Sequence, residues 1–281
     1  MVAVISVVVL TACSNPSKAP EVSQQPTSTP TPEAAQPSPT PMPVAVEQDP
    51  APVSLQARVL EQRGHDPKAF TQGLEFDDGR LFESRGRNGM SGVSEIDPRD
   101  GSVLRWTPLA DEYFGEGLTI VGDSLIQLTW LAGKAFVYDL DTLEVTTVFD
   151  YEGQGWGLCF DGVSLMMSDG SDSLTIRDPE TFVITGTVPV RLDGSPVASL
   201  NELECVAEKV YANIWQTDTI VEIDPSTGNV TAVIDASGLL DGTDAVGVDV
   251  LNGIAYDETS ETFLLTGKLW PAMFVVVFEA S

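Results

Sequence analysis

Two observations predict an all-β domain, a five-bladed β-propeller. After residue 55 the chain shows no long amphipathic helix, and short alternating or apolar runs are separated by DG, GD and DP turns. Five segments also begin alike, at residues 72, 116, 156, 201 and 252, in steps of 44, 40, 45 and 51 residues. Four strands in about 45 residues are typical of a propeller blade. The alternative, a β-sandwich, gives no reason for such regular spacing.

The strands of each repeat follow in one order. The first strands begin QGL, EGL, WGL, NEL and NGI, and the second strands are RLFES, SLIQLTW, SLMMSD, VYANIW and TFLLTGK. The third strands, most of which end in an Asp turn, are GVSEIDPRDG, AFVYDLDTL, LTIRDPETF, IVEIDPSTG and MFVVVF. Four repeats add a fourth strand: SVLRWTPL, EVTTVFDY, VITGTVPV and NVTAVIDA. The segment SLQARVLEQ near the N-terminus can supply the missing strand of the last blade and close the ring.

The first 54 residues have the composition of an export signal followed by a tether. Residues 2–12 form an apolar run too short to span a bilayer, and LTAC, ending at Cys13, resembles the cleavage box of bacterial lipoproteins. An ordinary signal peptide is the alternative. Residues 14–53 are rich in Pro, Thr, Ser and Ala, which is typical of a flexible segment. We therefore expect a signal peptide at 1–12, a lipidated tether at 13–54, and a domain at 55–281 that is exported and lipid-anchored to a bacterial membrane surface.

Composition excludes several classes of function. The 42 acidic and 14 basic residues give a net charge of −28, which disfavours nucleic acid and anionic membranes as partners. His65, near the N-terminal edge of the domain, is the only histidine, which disfavours a Ser-His-Asp or Cys-His system and a multi-histidine metal site. Cys159 and Cys205 either pair in an oxidising compartment or are buried singly, and the second interpretation is favoured.

The predicted ring brings distant residues together. The first strand of each blade lies nearest the axis, so equivalent positions meet at one mouth of the channel. A second set lies where the second strands end: Arg85, Trp130, Asp169, Trp215 and Lys268. The first set combines one carboxylate, three carboxamides and an indole, which suit a polar pocket better than a core: Gln72, Glu116, Trp156, Asn201 and Asn252.

Eight motifs carry a resemblance to a known family: AFTQGLEF, FGEGLTIVGDSLIQLTW, EGQGWGLCFDG, SDGS, LNELECV, YANIWQTD, LNGIAYD and TGKLWP. Over about residues 57–278 the chain resembles the plant- and bacterial-type (papaya-type) glutaminyl-peptide cyclotransferases. The resemblance implies a five-bladed propeller that converts the N-terminal glutamine of peptides and proteins to pyroglutamate and releases ammonia. It implies no required cofactor, unlike the zinc-dependent cyclases of animals.

The resemblance also implies a role for each residue of the pocket. Glu116 would move the proton from the α-amine to the leaving amide, and burial beside tryptophan should raise its pKa to suit both roles. Lys268 would face the developing oxyanion. Gln72 and Asn201 would bind the substrate amide or backbone. The walls that hold the methylenes of the substrate side chain would be Phe70, Phe114, Trp130, Trp156 and Trp215.

Each assignment has a structural alternative. Glu116 could form an ion pair with Lys268 or Arg85, and Lys268 by itself has the character of a snorkelling surface lysine. Trp130 and Trp215 could instead belong to the core between blades. Asn201 and Asn252 could be turn residues that tie one blade to the next, and for Asn252 we favour that interpretation.

The remaining expectations concern metals and partners. Glu202 and Glu204 share one face of a strand and could bind a structural Ca²⁺, which the resemblance allows on the propeller axis; solvated or inter-blade carboxylates are favoured. We expect a monomer whose partners are peptides with N-terminal glutamine and, through Cys13, a membrane. A non-catalytic binding module at the cell surface and a propeller lyase are the alternative functions.

Overall fold

The structure, a computed structural model, describes residues 50–240 and 246–280. Over these residues the regular structure is formed by 22 β-strands, which confirms the all-β prediction. No helix in this part of the chain is long and apolar enough to cross a membrane. The predicted signal peptide, Cys13 and most of the tether lie outside the described residues, and the first strand begins at Val53, just before the predicted start of the domain.

Three sheets each contain four antiparallel strands in chain order. The first sheet comprises β2 (Thr71–Asp77), β3 (Arg80–Arg85), β4 (Gly92–Ile96) and β5 (Val103–Pro108). The second comprises β6 (Gly115–Val121), β7 (Ser124–Thr129), β8 (Lys134–Asp139) and β9 (Val145–Asp150). The third comprises β10 (Leu158–Phe160), β11 (Leu165–Met167), β12 (Ser173–Arg177) and β13 (Ile184–Pro189). These strands coincide with those expected for the first three repeats.

An eight-stranded sheet contains the last two repeats and the N-terminal strand. One half is β16 (Leu200–Val206), β17 (Lys209–Ile214), β18 (Thr219–Ile223) and β19 (Val230–Asp235). The other half is β20 (Leu251–Asp257), β21 (Thr262–Gly267), β22 (Ala272–Ala280) and β1 (Val53–Gly64). The strand β1 pairs antiparallel with β22 along its length and parallel with β19 at its beginning. The N-terminal strand thus lies beside the last one, in the place that the missing fourth strand would take.

The first strands of the repeats contact one another in a closed order: β2, β6, β10, β16, β20 and again β2. Their backbones approach closely because glycine occupies the contact points. A Cβ atom on Gly73 would lie 2.6 Å from the nitrogen of Leu118, and one on Gly117 would lie 2.7 Å from the Cα of Gly157. Any larger residue would push the strands apart, so the glycines next to the ring positions set how tightly the strands converge.

The core is divided among the contacts between neighbouring repeats. In the described part of the chain, five clusters of buried apolar side chains each join two adjacent repeats. Phe82 and Leu118, for example, lie in the cluster between the first and second repeats, and Leu74 and Met273 lie in the cluster between the first and last. The outer strand β5 instead contains only exposed and half-buried residues, as expected where an antiparallel sheet meets solvent.

Two features differ from expectation. Cys159 in β10 and Cys205 in β16 form a disulfide with Cα atoms 5.4 Å apart, which corrects the interpretation of two singly buried thiols. The two strands are neighbours in the ring, although the cysteines are 46 residues apart in sequence. By the chain-entropy model the disulfide adds about 4 kcal/mol to the free energy of unfolding. A ribbon of β14 (Arg191–Leu192) and β15 (Ser195–Pro196) was not predicted; its tight turn places Asp193 and Gly194 at positive φ.

Candidate active site

One cavity collects the predicted site residues. Its volume is about 380 Å³, and its walls include every residue predicted as catalytic or substrate-binding: Phe70, Gln72, Phe114, Glu116, Trp130, Trp156, Asn201, Trp215 and Lys268. Gln216, Asp249 and Val250 complete the lining. The structure therefore brings these side chains together, although they are spread over almost 200 residues of sequence.

The convergence of the first strands places the polar residues. Gln72 and Glu116 each lie second in their strands, β2 and β6, and Asn201 occupies the same place in β16. All three are buried at the base of the cavity. Trp156 precedes β10 by two residues and is half-buried. The fifth ring position, Asn252, does not line the cavity.

The Asn252 side chain joins two repeats. Its Nδ2 donates to the Thr71 carbonyl oxygen at 3.1 Å and to Oε1 of Gln72 at 3.5 Å. This geometry agrees with the inter-blade tie that the sequence favoured for Asn252. The contact to Gln72 places that carboxamide oxygen toward Asn252, and its second lone pair stays available as an acceptor.

The second predicted set is only partly at the site. Trp130, Trp215 and Lys268 reach the cavity, whereas Arg85 and Asp169 do not line it. Arg85 instead bonds to two carboxylates, with Nε 2.8 Å from Glu83 and Nη1 2.8 Å from Asp66. These partners hold Arg85 away from Glu116, so an Arg85–Glu116 ion pair is not formed.

Aromatic rings form the wall of the cavity. Phe70 meets Phe114 edge to face with ring centres 6.1 Å apart, and Phe114 meets Trp130 in the same way at 5.7 Å. Trp156 and Trp215 form a further edge-to-face pair at 5.5 Å. Such pairs orient the rings as well as bury them, so the wall has a defined shape.

Glu116 is the unpartnered carboxylate of the cavity. It is 5 % exposed, and among the described residues no group donates a hydrogen bond to its carboxylate. Burial raises the pKa of Glu116 well above its ordinary value, and the charge of Lys268 opposes that rise. Burial likewise lowers the pKa of Lys268, against the attraction of Glu116, and its Nζ lies 5.4 Å from the centre of the Phe70 ring. Both shifts bring the groups toward neutrality, which suits proton transfer near neutral pH.

A second buried carboxylate lies beside the site and has the opposite surroundings. Glu83 accepts hydrogen bonds from Nε2 of His65 at 2.9 Å, Thr71 at 2.7 Å and Arg85 at 2.8 Å. Nδ1 of His65 lies 2.9 Å from the carbonyl oxygen of Trp270, so both ring nitrogens face acceptors and the imidazole is held as a cation. Burial alone would raise the pKa of Glu83, but the charges of His65 and Arg85 and the hydrogen bonds from His65 and Thr71 lower it to about 2.

The two glutamates considered as calcium ligands bind backbone instead. Glu202 accepts from the nitrogens of Leu74 at 3.3 Å and Ile254 at 2.9 Å, and Glu204 accepts from Tyr256 at 2.9 Å. They thus tie β16 to its neighbour β20, and Glu202 also reaches β2 on the far side of β20. Across residues 50–240 and 246–280 no group of three or more His, Cys, Asp or Glu side chains is arranged to hold a metal ion.

Sequence reasoning missed three residues that line the cavity and a fourth that is bonded to its wall. Gln216 follows a predicted wall residue directly, and Asp249 and Val250 come just before the fifth repeat, so none occupies a position shared by the repeats. The fourth is Gln154, whose side chain contacts two tryptophans of the wall. Only their closeness in sequence to ring residues could have indicated these positions.

The arrangement can orient a small polar group against an aromatic wall, move a proton with Glu116 and stabilise a developing anion with Lys268. Known proteins share this chain's sequence and fold. A sequence model described as glutamine cyclotransferase matches residues 34–278. Over 231 residues the chain is 41 % identical to the glutaminyl-peptide cyclotransferase of Arabidopsis thaliana, covering 80 % of this chain and 72 % of that protein.

The crystal structure of Myxococcus xanthus glutaminyl cyclase is similar to this structure with a TM-score of 0.75 and 38 % sequence identity. The match covers 82 % of this chain and 99 % of the Myxococcus chain. Since the sequence model spans most of the chain and both relatives exceed a third in identity, the chain belongs to the glutamine cyclotransferase family.

Proposed function

We propose that this protein is a glutaminyl-peptide cyclotransferase, which closes the N-terminal glutamine of a peptide or protein to pyroglutamate and releases ammonia. The observation that carries the mechanism is Glu116, a buried carboxylate without a hydrogen-bond donor, which faces an aromatic cavity beside Lys268. A carboxylate in that environment is destabilised as a charge, so it gains by exchanging a proton with a bound substrate.

The cavity suits a glutamine side chain. Its aromatic wall would pack against the two methylenes, and the carboxamides of Gln72 and Asn201 supply donors and acceptors at its base. Because nucleophile and electrophile belong to the same residue, folding the substrate side chain back on its amine provides the proximity that the reaction needs. Effective molarities for such ring closures reach about 10⁵–10⁸ M.

The chemical step then requires one proton to move. The α-amine nitrogen attacks the side-chain carbonyl carbon, and Glu116 takes a proton from that nitrogen as the new C–N bond forms. Lys268 stabilises the negative charge on the carbonyl oxygen. When the tetrahedral intermediate collapses, Glu116 returns the proton to the side-chain nitrogen and the C–N bond to ammonia breaks. No water is consumed, and Glu116 ends in its starting state.

The architecture proposed for this function is a five-bladed propeller. The closed contact order of β2, β6, β10, β16 and β20 supports it, as does the pairing of β1 with β22. Five blades would place Gln72, Glu116, Trp156 and Asn201 around a single axis, with the fifth position used to tie the ring.

We also propose that the protein acts outside the cytoplasm as a lipid-anchored monomer. The disulfide between Cys159 and Cys205 supports an oxidising compartment, and the lipid at Cys13 rests on the sequence alone. Detergent-dependent fractionation of the native protein and of Cys13→Ser tests the anchor. A variant that stays in the membrane fraction would contradict it, and the molar mass of the detergent-solubilised protein tests the monomer.

The activity is tested with the purified full chain and a peptide that begins with glutamine. We expect ammonia in solution and a peptide lighter by one ammonia. The same peptide with an acetylated N-terminus is the control, since its blocked amine cannot attack. Ammonia release from the acetylated peptide, or none from the free one, would contradict the proposed function.

A further inference from the structure

The aromatic wall of the cavity is interrupted between Trp130 and Trp156. Ring contacts connect Phe70 to Phe114 and Phe114 to Trp130, and separately Trp156 to Trp215. Among the described residues no ring contact joins Trp130 to Trp156. The two halves of the wall come from different repeats, since Trp130 follows β7 and Trp156 precedes β10. Packing between rings therefore does not set the separation of the halves.

A single side-chain oxygen spans that break. Oε1 of Gln154 accepts a hydrogen bond from Nε1 of Trp130 at 2.7 Å and another from Nε1 of Trp156 at 3.0 Å. An indole nitrogen can only donate, and a carboxamide oxygen has two lone pairs, so the three groups match in number and type. The two indole nitrogens cannot lie farther apart than these two bonds laid end to end.

The loop that carries Gln154 is held by its backbone. The nitrogen of Tyr151 donates to the Gly133 carbonyl oxygen at 2.8 Å, and that of Gly155 donates to the Trp130 carbonyl oxygen at 3.1 Å. Gly153 has a φ of 89°, a conformation that favours glycine. The hydroxyl of Tyr151 also bonds to the carbonyl oxygen of Thr129. The exposed Gln154 side chain is thus presented from a fixed base.

We propose that Gln154 is a positioning residue, whose carboxamide oxygen fixes the separation of Trp130 and Trp156 and so the width of the cavity that receives the substrate glutamine. This rests on the proposed function. Without the acceptor, both indoles would turn toward water, and substrate binding would have to order them again. Because the walls contact the substrate side chain before and during the reaction, the loss falls on KM more than on kcat.

The test compares three variants of the full chain. Gln154→Leu keeps the size but removes the acceptor, and we expect KM for a glutamine-initiated peptide to rise about five- to tenfold, as for the loss of about one net hydrogen bond. We expect kcat to stay within about twofold. Gln154→Glu keeps an acceptor for both indoles and should restore KM to near the native value. Glu152→Gln, in the same exposed loop, is the matched control and should change neither.

A second measurement reads the tryptophans without any turnover. Gln154→Leu should increase quenching of tryptophan emission by acrylamide and shift the spectrum to the red, whereas Gln154→Glu and Glu152→Gln should match the native protein. A native KM in Gln154→Leu would overturn the proposal, and so would an equal rise in Gln154→Leu and Gln154→Glu. If the native protein released no ammonia, the proposed function would fail, while unchanged quenching in Gln154→Leu would separately refute the role of Gln154.

Discussion

Glu83 and Glu116 lie in adjacent repeats and are both buried, yet their surroundings are opposite. Three side chains donate hydrogen bonds to Glu83, and two of them are cationic. Glu116 receives no such bond among the described residues and has one lysine nearby. The two sites are even in contact, because the Ser84 hydroxyl next to Glu83 donates to the backbone carbonyl of Glu116.

The pKa values follow the partners. The pKa of Glu83 falls to about 2 in spite of burial, whereas burial raises that of Glu116 well above its ordinary value. Glu83 therefore stabilises the folded state when ionised, and Glu116 destabilises it when ionised. The difference shows that burial alone does not set the pKa of a carboxylate, because hydrogen-bond donors and nearby charges can reverse the direction of the shift.

The largest expected effect is on catalysis by Glu116→Gln. We expect kcat/KM to fall about 10²–10⁴-fold, because the amide cannot take up a proton from the α-amine. The melting temperature at neutral pH should stay level or rise. The raised pKa means that stability is lost as pH rises from the unfolded value toward the folded one, and Gln removes that loss. Ammonia release measures the loss of activity, and thermal melts measure the stability. Normal turnover by Glu116→Gln would contradict the role assigned to this carboxylate.

The next effect is on stability, in Glu83→Gln. Removing one partner of a buried pair leaves His65 and Arg85 without their shared counter-charge, and we expect unfolding free energy to drop by about 3–5 kcal/mol in urea titrations. Since the folded pKa of Glu83 is lowered, its contribution is present above the unfolded value of about 4.3 and is lost toward about 2.

The native and Glu83→Gln proteins should therefore converge in stability as the pH falls through that range. Glu61→Gln is the matched control, because Glu61 also pairs with an arginine, Arg63 at 2.8 Å, but is exposed. We expect little change there. Equal losses in the two variants would show that burial of the pair is irrelevant.

Lys268→Met tests how the one cation near Glu116 affects that carboxylate. Loss of the charge that faces the oxyanion should lower kcat about 10²–10³-fold. It also removes the attraction that opposes burial at Glu116, so the pKa of that carboxyl should rise further. The acidic limb of the profile of kcat/KM against pH should then move to higher pH. An unmoved limb would mean that the two groups do not interact.

The smallest effect concerns salt. A net charge of −28 produces self-repulsion, so added NaCl should raise the melting temperature of the native protein. The difference in stability between native protein and Glu83→Gln should persist, because buried pairs are screened far less than surface charges. Thermal melts of both proteins at low and high NaCl check this, and a difference that vanishes in salt would place the effect of Glu83 at the surface.

Repeat spacing predicted much of the fold and the site, since equal positions in equal repeats must meet near one axis. It found Gln72, Glu116 and Asn201 because each begins a repeat. It did not predict that Arg85 would lie outside the cavity. The position of Arg85 depends on its bonds to Glu83 and Asp66, which are not at positions shared by the repeats. The role of Gln154 was missed, and the Cys159–Cys205 disulfide was judged the less favoured alternative, for a similar reason. The spacing of the repeats does not specify which side chains touch between one repeat and the next.

The pairing of β1 with β22 has a consequence for protein engineering. Leu55 lies opposite Ala280 in antiparallel register, so hydrogen bonds join the ring where no peptide link does. A short turn from Ala280 to Val53 would make β22 and β1 one hairpin and complete the circle covalently. A circularly permuted chain could then start at Gly79 and end at Asp78, because both residues lie in the exposed turn between β2 and β3.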